Sequence, residues 1–458
     1  MNNDSKPRQI DVVKFVIMSI IGVFLFMVLL PHDGSFNIPL GIALNWLGST
    51  VNSVRVNEFG LLFLIGAVLI TLSFLATVLA YLIKPAFIME SEKLRGIFLS
   101  HPVYLVSKAI AVVIAWMVFF RVGPEMIIED WLGGNMMMRL IAGNSGLIAI
   151  FLVVGLAIPI LTDFGLMEFF GLLIRRFVRV LFTLPGRSSI DLFGSWFSSS
   201  AAGVIITTDQ HKKGYYTHRE AAAICVNFEV VSLPFTFVVA STIGLTGYFP
   251  WFYLVICVTA ILLAIIMPRI WPLRRIKDEY LPEVGKQIEE EVPQDVSMFS
   301  WAVSLAANRA SKTGVMDVVK SGLSNWLSIF MDLIPVILAW GTIALVLEAN
   351  TPIFDWLSWP FAQLLSLFRV EGAAYYAPAT IVGFIDMFIP AILLESAPFE
   401  TRFILGTLSI VQIIYLAETG ILILKSKIPL NIGHLAILFL MRTVIALPII
   451  VLLTRLIF

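Results

Sequence analysis

The sequence predicts an all-α polytopic membrane protein, with about nine transmembrane helices and two re-entrant hairpins in an inverted repeat. Three observations carry that prediction. Hydrophobic residues fill 59% of the 458 positions and charged residues only 14%, whereas a soluble domain carries about 25% charged residues. Apolar runs of about twenty residues, the length that spans a hydrocarbon core, recur along the chain. Lysine and arginine gather at alternate ends of those runs, as the cytoplasmic bias of basic residues requires. The 31 basic and 31 acidic side chains cancel. That balance excludes a basic nucleic-acid binder, and the apolar content excludes a disordered chain.

Taken in order, the predicted spans are 12–30, 60–82, 103–120, 140–162, 217–243, 250–268, 321–348, 402–424 and 431–454. The first follows Lys6, Arg8 and Lys14 but exceeds the core of a signal peptide. Pro31-His32-Asp33-Gly34 offers no small-residue cleavage pattern, so this run reads as a retained anchor helix. The stretches 186–211 and 372–398 are apolar yet interrupted by glycine, proline and small polar residues; re-entrant hairpins accommodate such breaks better than continuous spans. Cys225 and Cys257 lie inside apolar runs and read as small packing residues.

Basic residues orient the chain. Lys6, Arg8 and Lys14 place the N-terminus in the cytoplasm, and Lys84, Lys93, Arg95, Arg175, Arg176, Arg179 and Arg187 fall in loops on the same side. The loops 31–59 and 244–249 on the other face contain only Arg55. The connection 272–312 holds thirteen charged residues, which makes it a solvated linker. Its end, 297–312, reads as an amphipathic surface helix, because Met298, Trp301, Leu305 and Asn308 recur at helical spacing. The resulting division is 1–138, N-terminal helices and a possible scaffold; 139–271, the first repeat; 272–312, the linker; and 313–458, the second repeat.

The repeat itself is visible in residues. Ile158-Pro159 and Gly165 return as Ile334-Pro335 and Gly341, with an aromatic ring before each glycine. Broken stretches follow near Gly194-Ser195-Trp196-Phe197 and Gly383-Phe384-Ile385-Asp386. Each half then opens a span with arginine, Arg219 or Arg402, and carries a polar side chain ten residues on, Glu229 or Gln412. The two halves run in opposite directions through the membrane. Inverted repeats with broken elements characterise secondary transporters, whose substrate sits near the midplane.

Several residues stand out for chemistry. Ser198-Ser199-Ser200 mark a small-residue hairpin tip, where close helix approach frees backbone N–H groups for a polar ligand. Asn227, Glu229 and Ser232 lie in a run that Pro234 unwinds or kinks around Val230. A carboxylate at the bilayer centre costs about 2.5–3.5 kcal/mol, so Glu229 points to an ion or substrate role. The second half offers Gln412, Glu418 and Thr419 at helical spacing, and Asp386 in the second hairpin. Arg219 reads as a side chain reaching for the interface, and Arg402 as a partner of Glu395 or Glu400. The five histidines are scattered, without metal-ligand spacing, and no P-loop is present. The chain does not read as an enzyme.

The order of Gly194 to Thr208, then Arg219-Glu220-Ala221, Asn227-Phe228 and Ser232, resembles the Gate or nucleoside recognition domain. That domain occurs in concentrative nucleoside transporters, the ferrous-iron permease and sporulation maturation membrane proteins. Over residues 10–458 the chain looks most like the bacterial YjiH family. The resemblance implies two hairpins and two unwound helices enclosing a substrate, with elevator-like movement driven by a cation gradient. It assigns first-hairpin contacts to Ser198, Ser199 and Ser200, first-helix contacts to Asn227, Glu229 and Ser232, and the second set to Asp386, Gln412 and Glu418. The first hairpin departs from the nucleoside transporters in lacking their glutamine-threonine-glutamate signature.

The expected function is ion-coupled secondary transport of a small polar or zwitterionic solute, a nucleoside, amino acid or short peptide, across the inner membrane. No cofactor is expected. The coupling ion is H⁺ or Na⁺, with Glu229 and Glu418 as its sites. The alternative is a non-transporting sensor or an accessory subunit of a two-protein complex. Expected partners are the solute, the lipid bilayer, and a second copy of the chain docked through 12–120 or a separate membrane subunit.

Overall fold

The computed structural model describes residues 8–32, 35–99, 102–129, 134–143, 146–186, 188–189, 192, 200–229, 231–285 and 297–458. Three uninterrupted apolar helices stand out in the N-terminal part, α1 (Gln9–Met27), α2 (Leu61–Leu82) and α3 (Pro102–Phe120), with shorter helices at Pro39–Asn52, Ala86–Glu90 and Glu92–Phe98 between them. Such helices close their own backbone hydrogen bonds and so suit a solvent that offers none. The predicted span 140–162 is divided into a helix at Gly134–Ala142 and α4 (Leu147–Thr162), with the short α5 (Leu166–Leu173) after it. Most of the first arm of the hairpin expected at 186–211 lies outside the described residues; the second arm is α6 (Ser200–Lys212).

The predicted span 217–243 is likewise divided, into α7 (His218–Asn227) and α8 (Leu233–Thr242). Then follow α9 (Phe249–Ile266), α10 (Met298–Lys312), α11 (Val315–Asn350) and α12 (Ile353–Leu367). The part of α11 from Ile334 onward meets α12 at 80°. Region 372–398 holds only the short helices Ala373–Tyr376, Ala379–Val382 and Ile389–Leu393. The chain continues through α13 (Phe399–Val411), a π-turn at Leu416–Gly420, a helix at Ile421–Lys425 and α14 (Ile432–Ile457). Among the described residues, five helices are long and apolar enough to cross a membrane unaided: α1, α2, α3, α9 with its flanking turns (Thr246–Arg269) and α14.

The chain divides into two compact units. One comprises Leu30–Leu156 and Val319–Ser358. Within it α2 packs along α3, and the Trp116 indole N–H donates to the Thr71 hydroxyl at 2.8 Å. Lys108 is fully buried on α3; its amine donates to the Thr77 hydroxyl (3.0 Å) and the Ile97 carbonyl (3.1 Å). Glycines let helices α4 and α11 touch here: a Cβ on Gly322 would lie 2.7 Å from the Gly155 carbonyl oxygen. Small residues at helix crossings serve the packing that replaces the hydrophobic effect in lipid.

The other unit comprises Met1–Leu29, Ala157–Val318 and Trp359–Phe458. Here α10 packs on α1 and α5. The face it buries is not the predicted line of Met298, Trp301, Leu305 and Asn308 but Ala302, Ala306, Ala307 and Ala310. Close approach explains the change: Gly165 has φ +99°, and a Cβ there would lie 2.6 Å from the Ala306 Cα. Arg309 of α10 reaches Asp163 at 3.9 Å and Glu168 at 3.8 Å. Further along, α9, α13 and α14 pack together, with Phe252 and Phe403 edge to face at 5.5 Å.

Candidate functional site

The first interrupted helix is built by its ends. Thr217 and Glu220 form a reciprocal capping box that starts α7, satisfying two otherwise orphaned donors. Asn227 ends it. Chain direction resumes at Ser232, the N-cap of α8, and Pro234 occupies the first turn of α8, where its missing N–H is harmless. The expected unwinding thus falls between Asn227 and Leu233. Asn227, Glu229 and Ser232 are all buried, at 1%, 1% and 8% exposure.

The second interruption has no proline. α13 stops at Val411, and Ile413 adopts φ +64°, which is unfavourable for a β-branched residue. Tyr415 holds that conformation: its hydroxyl donates to the Ser409 carbonyl at 2.7 Å and accepts from the Ile413 N–H at 3.2 Å. Thr419 in the π-turn donates to the Ile413 carbonyl (3.0 Å) and accepts from the Tyr415 N–H (3.2 Å). The hydroxyl of Thr419, expected at the substrate, is therefore engaged with backbone. Asp386 is used similarly, accepting from the Phe388 N–H at 2.8 Å.

A residue absent from the sequence-based set joins the two interruptions. Arg442, midway along α14, is fully buried. It donates to the Val226 carbonyl (3.0 Å) and Asn227 Oδ1 (2.7 Å) at the end of α7. From the same guanidinium, Nε and Nη2 donate to the Val411 carbonyl at the end of α13, at 3.1 and 2.7 Å. Helix C-termini carry partial negative charge and unsatisfied carbonyls. One planar cation meets both needs for two helices at once. The signal in the sequence was a lone arginine inside the apolar run 431–454, since an intramembrane charge faces a protein interior and finds a partner.

Each half also sets a hairpin glycine against a buried polar side chain. A Cβ on Gly203 of α6 would overlap the Glu229 carboxylate, and one on Gly383 would lie 2.5 Å from Gln412 Oε1. The Thr207 hydroxyl approaches Glu229 Oε1 at 3.5 Å. Gln412 Nε2 donates to the Thr380 carbonyl and the Thr443 hydroxyl, both at 2.8 Å, while its Oε1 is buried with no hydrogen-bond partner among the described residues. The first hairpin arm and the second interruption also meet, as α6 packs against the π-turn Leu416–Gly420; within the second half, the Leu416 N–H donates to the Phe384 carbonyl at 2.8 Å.

The remaining candidates divide simply. Ser198 and Ser199 lie outside the described residues, Ser200 begins α6 with its side chain outside them, and Glu418 sits in the π-turn, its side chain likewise undescribed. Arg402 does not form the expected pair with Glu395 or Glu400. Its guanidinium donates to the Ile243 carbonyl at 2.9 Å, at the end of α8, and Glu400 pairs with Arg455 at 2.8 Å. An unsatisfied helix-end carbonyl away from water is the stronger demand.

Five long apolar helices, interrupted helices and buried polar groups define a multi-pass helical membrane protein. A family model described as Gate, nucleoside recognition, matches residues 144–246, which bears out the resemblance drawn from 186–243. The chain belongs to the same family as BpOF4_10220, an uncharacterized protein of Alkalihalophilus pseudofirmus, to which it is 43% identical over 447 residues, covering 97% of this chain and 94% of that one. Among solved structures, it is similar to CNTnw in an inward-facing substrate-bound state, with 13% identity, a TM-score of 0.43 and coverage of 96% of this chain and 98% of that one. A doubly substituted CNTnw in an outward-facing state gives 12% identity, a TM-score of 0.42 and coverage of 98% and 100%.

Proposed function

We propose that the protein is a secondary active transporter that moves a small polar or zwitterionic solute, of nucleoside, amino-acid or short-peptide size, by an elevator-like, ion-coupled mechanism. The observation that carries this reading is the bond from Arg442 to the ends of α7 and α13, flanked by a hairpin glycine against Glu229 and another against Gln412. Two helices unwound at matching places in opposed halves supply the carbonyls and polar side chains that replace a solute's hydration.

In this proposal Glu229, Ser232 and Gln412 face the solute, with Ser198, Ser199, Ser200 and Glu418 completing the two sides. Asn227 holds Arg442 in position, and Asp386 and Thr419 shape the loops. Glu229 and Glu418 carry the coupling ion, H⁺ or Na⁺. The setting is the inner membrane with the N-terminus in the cytoplasm, and the working unit is a homodimer.

Thermal unfolding of the detergent-purified protein against nucleosides, amino acids and dipeptides, with and without Na⁺, tests this directly. A solute at a hundred times its dissociation constant stabilises by about 2.7 kcal/mol. Glu229→Gln should abolish that shift and solute uptake into proteoliposomes while leaving the unliganded protein folded. Unchanged uptake by Glu229→Gln would refute its assignment, and no stabilisation by any solute would favour an accessory subunit.

A further inference from the structure

At the starting end of α7, away from its interrupted end, lies a cavity of about 420 Å³. Its walls include His218, Trp271, Arg275, Lys277, Pro429 and His434 and, among the described residues, no carboxylate. The acidic residues beside it are engaged elsewhere or only loosely paired. Asp278 accepts from the Thr217 hydroxyl at 2.7 Å, and Glu279 stands 3.9 Å from Lys277. Nδ1 of His218 is buried without a hydrogen-bond partner among the described residues. A concave, basic wall with such an unmet donor or acceptor fits an anion.

Position narrows the anion. His218 opens α7 and His434 lies in the first turn of α14, so both helix dipoles present their positive ends. Capping boxes occupy amides at both helix starts, which leaves attraction and specificity to the side chains. Trp271 is 47% exposed and follows the apolar α9, the placement of an interfacial anchor. Basic pockets beside membrane helices take phosphate-bearing head groups, and the volume falls within the range of small-ligand sites, about 300–1,000 Å³.

The same two helices meet again further along. Val226 lies eight positions after His218, and Arg442 eight after His434, about 12 Å of helix in each. An anion here therefore grips the starting ends of the pair that Arg442 joins. We infer that this cavity binds a phosphate group, carried by an anionic lipid head group or free in solution, and that occupancy holds α7 and α14 in register.

The test is thermal unfolding of the full chain in detergent, titrated with sodium phosphate against sodium chloride at matched ionic strength. In parallel, mixed micelles of phosphatidylglycerol are compared with phosphatidylcholine. A saturable rise in unfolding temperature with phosphatidylglycerol alone identifies a lipid head group. A rise with phosphate alone identifies free phosphate, and a rise with both identifies the shared group. In R275Q/K277Q the midpoint should move roughly 30-fold higher, about fivefold per cation, whereas R274Q, a neighbour outside the cavity, should behave as wild type. All the substituted side chains are exposed, so the variants should fold. No rise with either probe, or an unchanged midpoint in R275Q/K277Q, overturns the inference.

Discussion

Arg442 concentrates more structural consequence than any other side chain described above. Its four hydrogen bonds go to two carbonyls and an amide oxygen that have no water to turn to. Replacing it with methionine preserves length and removes every donor, leaving those buried acceptors unsatisfied at about 1–3 kcal/mol each. Arg442→Met should therefore lower the unfolding temperature sharply and abolish uptake. Arg442→Lys keeps the charge but loses the planar fork, so it should fall between the two. Equal unfolding temperatures for Arg442→Met and wild type would remove the clamp from the account. Gly203 calls for a different expectation. The atom a new Cβ would meet is the end of the Glu229 side chain, which can rotate away. Gly203→Ala should hence leave stability nearly unchanged while re-aiming the carboxylate, and the reading is a loss of uptake without a matching loss of unfolding temperature.

At the scale of elements, one pattern recurs: basic side chains donate to the carbonyl ends of helices other than their own. Lys14 reaches Thr313 beyond α10 at 2.5 Å, Arg269 reaches Leu181 at 2.8 Å, and Arg455 reaches Phe368 beyond α12 at 2.6 Å. Lys108, Arg402 and Arg442 do the same. A chain with many short or interrupted helices has many such ends to satisfy. The α5–α10 junction gives two tests. Gly165→Ala combines a left-handed φ with contact against Ala306 backbone, which cannot rotate away, so about 1–3 kcal/mol should be lost, far more than at Gly203. Glu168, on α5 beyond the predicted span 140–162, has its carboxyl raised above the ordinary range, first by burial, against the opposing pull of Arg309. Its protonated form thus favours the folded state. That contribution is complete below the ordinary carboxylate pKa and is lost as pH rises through the raised one. Glu168→Gln should flatten the decline in unfolding temperature over that interval; an identical pH profile would show that the site contributes nothing.

For the molecule as a whole, what was legible in the sequence follows from what each signal depends on. The five continuous spans and the first interruption are local: apolar runs declare the former, and Pro234 with Asn227 and Glu229 declares the latter. The interruption after Val411 carries no proline, its positive φ falls on Ile413 rather than on a glycine, and it is held by Tyr415, so residue types alone mark only its polarity. Arg402 and Arg442 were visible as charges, but their partners at Ile243 and Val411 depend on how distant helices pack. The alanine face of α10 was hidden because size, not hydrophobicity, selects it. Assembly is a further level, and the expected dimer through the N-terminal helices gives the last prediction. On α2, Leu72, Leu75, Leu79 and Leu82 form an exposed line, from 41% to 78%. Lipid covers such a line as readily as protein, so its chemistry does not choose between them; proximity does. Leu72→Cys and Leu79→Cys, each in a chain with Cys225 and Cys257 replaced by serine, should cross-link under mild oxidation in native membranes if α2 meets its copy. A disulfide spans Cα atoms only about 4.4–6.8 Å apart, so cross-linking at one position of the line and not at a comparably exposed control, Val113→Cys on α3 (57% exposed), would fix the dimer face. Absence of cross-links along all of α2 would move the interface to another helix.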